Sequence, residues 1–316
     1  MKADVTKQSS VLCKTITVYG RAAGIARYAL AYVANALAEA DKQPMVSVRI
    51  EMPEYTFKSR LHAIQKELKE TAKEQNIVLT EVLANKHPGV ALCAVTVTGI
   101  ALTSFVSEGQ SLGSTHTTQT ITADFPSDRH NSANGQTTCR DVVMLGYSGM
   151  EGMLRIMDEK EEELKKRFSY SFIKQIKSYA PYVFMQDAVK KAMEHGACKV
   201  VECGEGGVLA TIWNLALEME SGIDLDFKKI QVLQETVEVC EQYRLNPYQL
   251  ASAGTFFFLT EDGELLAEAL RQENLPAVMV GRLTDNNDKI LRNGEEVRYV
   301  DRPATDEIYK IFEGYL

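Results

Sequence analysis

The sequence is poor in the patterns that mark several large protein classes. No apolar run approaches the roughly 18 residues of a membrane span, which argues against a helical membrane protein. Cations do not outnumber anions: 35 Lys and Arg stand against 43 Asp and Glu, a formal charge of −8. That balance argues against non-specific nucleic-acid binding. Six cysteines (13, 93, 139, 198, 203 and 240) never form CxxC. We read them as reduced thiols of a cytoplasmic protein, not as zinc ligands. The N-terminus has no apolar core behind its charges, so no signal peptide is expected. Five histidines show no ligand or relay spacing. His62 falls on an exposed helix face, His87 precedes Pro88, and His195 falls at a helix C-terminus, where its charge is favourable. Ser148 lies between glycines, but Gly-x-Ser-x-Gly is absent, so no nucleophile elbow is expected. There is no internal repeat.

What is present fits a soluble globular chain. Hydrophobic residues make up 45% and charged residues 25% of the 316 positions, enough for one large or two ordinary domains. Residues 22–40 are alanine-rich, with Ile25, Ala29, Val33 and Leu37 near one helical face. Residues 45–52 alternate Val46, Val48, Ile50 and Met52 against Ser47, Arg49 and Glu51, which predicts a half-buried strand. Residues 57–75 place Phe57, Leu61, Ile64, Leu68 and Ala72 on one helical stripe. Strands are expected over 77–83 and 90–98. The first part therefore reads helix, strand, helix, strand, strand, with helices on one face of a sheet.

Residues 104–138 are rich in Ser, Thr, Gly, Asn and Gln, and hold His116 and His130. They read as a polar loop or linker, with a lid over a site as the alternative. A second domain begins near Arg140. Strands are expected over 141–145, 199–203, 223–227, 255–259 and 277–283, and helices over 150–168, 172–178, 185–195, 234–243, 247–251 and 262–272. A closing hairpin turns at Asn293-Gly294.

The most informative stretch is Val200-Val201-Glu202-Cys203-Gly204-Glu205-Gly206-Gly207-Val208. A short apolar run enters a glycine-rich turn, and an amphipathic helix follows over 209–220. Two readings stay open. The amides near Gly204, Gly206 and Gly207 could cradle a phosphate, or the turn could serve close strand-to-helix packing. Glu202 and Glu205 would repel an anion unless a cation lay between them. Cys203 could gain acidity at a helix N-terminus, but no base or resolving cysteine is evident, and a buried small residue is the simpler reading.

Downstream come Glu235-Thr236-Val237-Glu238-Val239-Cys240, Leu245-Asn246-Pro247-Tyr248-Gln249-Leu250 and Ala253-Gly254-Thr255. Together with Asp141-Val142-Val143-Met144, Gly149-Met150-Glu151-Gly152 and Gly281-Arg282, these resemble the C-terminal domain of the aminoimidazole ribonucleotide (AIR) synthetase-like superfamily, in particular its hydrogenase-maturation, HypE-like branch. Val33-Ala34-Asn35-Ala36-Leu37-Ala38 and Thr96-Val97-Thr98-Gly99 follow the family's N-terminal domain. The resemblance implies an α/β (α+β) fold of two domains: 1–103, a linker over 104–138, and 139–316. It implies a homodimer in which two N-terminal sheets share a barrel. It also implies ATP and magnesium at the domain and subunit junction, used to phosphorylate a carbonyl-type oxygen.

The departures fall on the acids that would hold magnesium. The family's glycine-acid-acid stretch has no counterpart, because the chain starts almost at its first helix, with too few residues for the strands that precede it. The family's Asn-Asp pair reads Asn35-Ala36. A glycine turn expected after Ile77 reads Val78-Leu79-Thr80-Glu81-Val82. Glu202 replaces the usual Asp and Gly204 the usual Thr. The branch's terminal cysteine is replaced by Phe312-Glu313-Gly314-Tyr315-Leu316. The expectation is a degenerate paralogue without magnesium–ATP chemistry, acting as a binding or regulatory protein, with a related family enzyme as partner and with no nucleic acid or membrane. Its residual ligand site would be Asn35, Glu202, Gly204, Glu205, Gly206 and Gly207. The alternatives are an active ATP-dependent enzyme using Glu81, Asp187, Glu202 and Glu205, and a small-molecule sensor with residues 104–138 as its lid.

Overall fold

The computed structural model describes residues 7–40, 42–106 and 139–312. The chain divides into two compact units, Met1–Asp124 and Phe125–Leu316. The polar stretch 104–138, with His116 and His130, lies largely outside the described residues, as do residues 313–316.

The N-terminal unit is a four-stranded sheet of order β1-β4-β2-β3. Its strands are β1 (Lys7–Gly20), β2 (Met45–Pro53), β3 (Val78–His87) and β4 (Cys93–Val106). Its helices among the described residues are α1 (Ile25–Ala36) and α2 (Lys58–Glu74). The alternation in β2 is the cause of its placement. Val46, Val48, Ile50 and Met52 are buried while Met45 and Arg49 are exposed. Helix α1 lies against β1 and β4, and Gly99 allows its approach, because a Cβ there would run into Val33 and Leu37. The α2 stripe holds for Ile64, Leu68 and Ala72, with Thr71 joining it. Phe57 departs from it: it is the N-cap, extended at φ −66°, ψ 144°, and 82% exposed.

Strand β1 corrects the expectation that too few residues precede the first helix. Fourteen residues pair antiparallel with β4 from Lys7↔Val106 to Gly20↔Cys93. Its Val, Ile and Thr content favours a strand. A clean apolar alternation is missing because side chains on both faces remain partly exposed.

The C-terminal unit is a seven-stranded sheet of order β11-β10-β7-β9-β5-β8-β6. The strands are β5 (Asp141–Leu145), β6 (Lys199–Glu202), β7 (Gly222–Asp226), β8 (Phe256–Thr260), β9 (Ala277–Thr284), β10 (Lys289–Asn293) and β11 (Glu296–Tyr299). Helices are α3 (Met150–Arg167), α4 (Tyr170–Ser178), α5 (Gln186–Glu194), α6 (Gly207–Glu218), α7 (Gln234–Tyr243) and α8 (Gly263–Gln272). Residues 247–249 form only a 3-10 turn, capped by the Asn246 side chain. Strands β5 and β8 are buried along their whole length, which explains their uninterrupted apolar runs. Phe257 and Leu259 share a core cluster with Val208, Ile212 and Leu215 of α6. Helix α8 packs on β5, β8 and β9.

Cys139 and Cys198 are joined in a disulfide, their Cα atoms 6.4 Å apart. This overturns the reading of all six cysteines as free thiols. The pair precedes β5 and β6, which lie on either side of β8, a proximity that a separation of 59 residues conceals. Cys13, Cys93, Cys203 and Cys240 take no part in a disulfide.

Candidate functional site

The glycine turn leaves edge strand β6 and enters α6. Cys203 is fully buried, and its N–H donates to the Thr255 carbonyl at 2.7 Å. Burial pushes its thiol well above the ordinary range, so it is not an activated nucleophile. Gly206 and Gly207 both take positive φ, +79° and +65°. A Cβ on Gly207 would lie 2.7 Å from the carbonyl oxygens of both Tyr248 and Leu250. These are backbone atoms, so glycine is required for packing as well as for conformation.

Four polar groups at the turn are engaged by the chain itself. The Gly206 N–H donates to Asp306 Oδ2 at 2.6 Å. The Gly207 N–H donates to the Gly204 carbonyl at 3.1 Å. Glu202 Oε1 accepts the Gly254 N–H at 3.1 Å. Glu205 Oε1 accepts the Tyr309 hydroxyl at 2.5 Å. Thus Glu202, Gly204, Glu205, Gly206 and Gly207 are brought together, as the sequence requires of contiguous residues. Asn35 is buried on α1 in the N-terminal unit. Of the alternative acids, Asp187 is exposed in the first turn of α5, and Glu81 is exposed on β3.

Beneath the turn lies a charged cluster that sequence reading misses. Glu151 and Arg155 on α3 are 0% and 3% exposed and pair at 3.2 Å. Glu151 Oε2 also accepts the Ala253 N–H at 2.8 Å. Asp306 accepts a second N–H, from Ile308, at 2.8 Å. Glu307 accepts the Asn246 N–H at 3.2 Å. The segment 306–307 therefore clasps both the glycine turn and the 246–250 loop. Burial pushes the Asp306 carboxyl up to about 6, against its two N–H bonds and the Arg155 charge. Asp306 carries one local signal, a short acid before a helical turn, but its main partner is 100 residues away.

The raised value sets a pH dependence. Asp306 holds a proton in the fold between its ordinary value of 3.8 and about 6, where the unfolded chain does not. Its contribution to stability is therefore greatest below about 4 and is lost as pH rises through 6, by about 3 kcal/mol in all. Urea midpoints of the wild type and Asp306→Asn from pH 4.5 to 7.5 should show this: the wild type gains on the variant as pH falls. A constant difference would remove Asp306 as the titrating group.

The chain matches no family model and no curated protein. Solved structures do match. HypE of E. coli, a hydrogenase maturation protein, superposes with a TM-score of 0.67, covering 96% of this chain and 89% of that one at 16% identity. HypE in complex with ATP gives 0.63, covering 95% and 87% at 13% identity. Thiamine monophosphate kinase from Aquifex aeolicus gives 0.59, covering 91% and 89% at 14% identity. Identity this low speaks for fold and leaves activity open. On that evidence the chain carries the AIR synthase-like fold shared by HypE and thiamine monophosphate kinase, the fold its motifs resemble.

Proposed function

We propose that this chain keeps the AIR synthase-like scaffold as a homodimeric binding or regulatory protein, without the magnesium–ATP chemistry that the resemblance implies. The observation that carries the reading is the Asp306 carboxylate seated on the Gly206 N–H. A phosphate at that amide would face a buried acid. Relieving that repulsion at pH 7 means protonating a carboxyl that titrates at about 6, which costs about 1.4 kcal/mol, or about tenfold in affinity. Glu202 and Glu205 are turned to Gly254 and Tyr309. Among the described residues no group of three or more His, Cys, Asp and Glu could hold a metal ion. The residues at the turn therefore do not fit a magnesium-bound triphosphate.

The homodimer is supported by the outer face of the N-terminal sheet. Val11, Met45, Ile100 and Leu102 are 62%, 45%, 40% and 42% exposed. They are neighbours on one face, since Val11 pairs with Leu102 and Met45 with Ile100. Val78, 39% exposed, pairs with Met45 and extends the apolar surface. A contiguous apolar sheet face of this kind marks an interaction surface, and a second copy offers the same face to it. A related enzyme of the same fold would offer a similar one, and is the kind of protein partner we propose.

Leu102→Arg should halve the mass found by light scattering while thermal stability of the isolated subunit is retained. A wild-type chain that is monomeric at every concentration would contradict the dimer. The alternative of an active enzyme rests on the ATP-bound HypE and on Glu202 and Glu205 at the turn. It requires Glu202→Gln to abolish ATP cleavage in a folded protein. Our reading expects no cleavage in either form.

A further inference from the structure

A cavity of about 240 Å³ opens beside the start of α6, within the C-terminal unit. Phe227 and Tyr248 line it, their ring centroids 4.5 Å apart and tilted. Leu209 and Leu291 add aliphatic surface. Two opposite charges, Asp301 and Arg302, are also in the lining. Both side chains are exposed, and neither has a hydrogen bond or ion pair among the described residues. Arg298 also lines the cavity but is paired with Glu296 at 2.7 Å. The available cation is therefore Arg302 and the available anion Asp301.

Size narrows the occupant. The volume lies near the lower end of ligand clefts, which begin at about 300 Å³. One flat ring with a short, doubly charged tail fits both the volume and the lining. An aromatic wall receives a ring face or edge, a guanidinium receives a carboxylate as a forked pair, and a carboxylate receives an ammonium.

We propose that this cavity binds a free aromatic α-amino acid. Its ring packs on Phe227 and Tyr248, its carboxylate meets Arg302, and its ammonium meets Asp301. The site goes beyond the reading of lost ATP chemistry and stands whether or not ATP binds. It also touches Gly206 and Ala304, so occupancy would bear on the segment that leads to the Asp306 clasp.

Calorimetric titration of the full chain tests this with three probes: L-phenylalanine, 3-phenylpropionate (no ammonium) and phenethylamine (no carboxylate). L-Phenylalanine should bind more tightly than either truncated probe. Arg302→Ala should weaken L-phenylalanine about tenfold, the scale of one charge-assisted hydrogen bond, and leave phenethylamine unchanged. Asp301→Asn should weaken L-phenylalanine and phenethylamine and leave 3-phenylpropionate unchanged. Both positions are exposed, so folding is not at risk. No heat from L-phenylalanine at millimolar concentration would overturn the proposal. Binding indifferent to both substitutions, or equal for L-phenylalanine and 3-phenylpropionate, would do the same.

Discussion

Arg155→Met should destabilise the C-terminal unit by about 3–5 kcal/mol, the scale for breaking a buried ion pair by removing one partner. Arg155 is 3% exposed and pairs with Glu151, which is fully buried. Without the guanidinium, Glu151 stays buried and loses its ion-pair partner, while its second oxygen still accepts the Ala253 N–H. Asp306 also loses a favourable charge, while the unfavourable Glu151 charge remains. A loss of this size is a large part of a domain's total of about 5–15 kcal/mol. Two features identify the cause. Lowering the pH from 7 to 5 should restore part of the loss, because a protonated Asp306 no longer repels Glu151. The double variant Arg155→Met with Glu151→Gln should lose less than the single variant, since no uncompensated charge remains at 151. Urea denaturation at both pH values measures all of this. A loss under about 1 kcal/mol would mean that solvent reaches the pair.

Gly207→Ala should be nearly as severe, and it separates the two roles of the glycine turn. The residue sits at φ +65°. An added methyl would lie 2.7 Å from two carbonyl oxygens and 2.8 Å from the Leu250 amide nitrogen. The left-handed backbone alone costs about 1–2 kcal/mol, and overpacking adds about 1–3 kcal/mol. Gly196→Ala is the matched control: φ is +93°, but nothing lies within 4 Å of the added methyl. It should show the backbone cost alone. Comparable thermal midpoints for the two variants would refute close packing at the turn and favour a glycine kept for a ligand.

Much of this architecture is legible in the sequence wherever one face of an element is buried and the other wet. Strand β2 is the clearest case, because Val46, Val48, Ile50 and Met52 alternate with polar residues and occupy the buried face. The start of α6 follows from Gly206-Gly207 beside an apolar run. Strand β1 escapes because its outward residues, Val11, Cys13, Thr15 and Thr17, alternate with Leu12, Lys14, Ile16 and Val18. Apolar side chains fall on both faces, and period-two contrast is lost. That loss is itself informative, since an apolar outer face is what a sheet keeps when another surface is to cover it. Phe57 misleads for another reason: an aromatic before a helix can sit outside its stripe as the N-cap.

At the site, sequence locates the turn but not what meets it. Glu202, Gly204, Glu205, Gly206 and Gly207 are contiguous and readable as a group. Asp306, Tyr309, Glu151 and Arg155 reach the same place from far along the chain. A glycine pattern shows that amides are available; it does not show which acid takes them. Here an acid of the chain takes the Gly206 N–H, and that single contact changes the balance between the phosphate reading and the packing reading. The Cys139–Cys198 link is hidden in the same way, by strands that approach only in the folded sheet.

The most direct test of the central claim is calorimetric titration of the purified protein with ATP, with and without magnesium. The account predicts no binding heat in either condition. It equally predicts no rise in unfolding free energy, where a bound nucleotide at a hundredfold excess over Kd would add about 2.7 kcal/mol. Saturable ATP binding that requires magnesium would contradict it, showing that carboxylates elsewhere in the folded protein have been recruited to the cation.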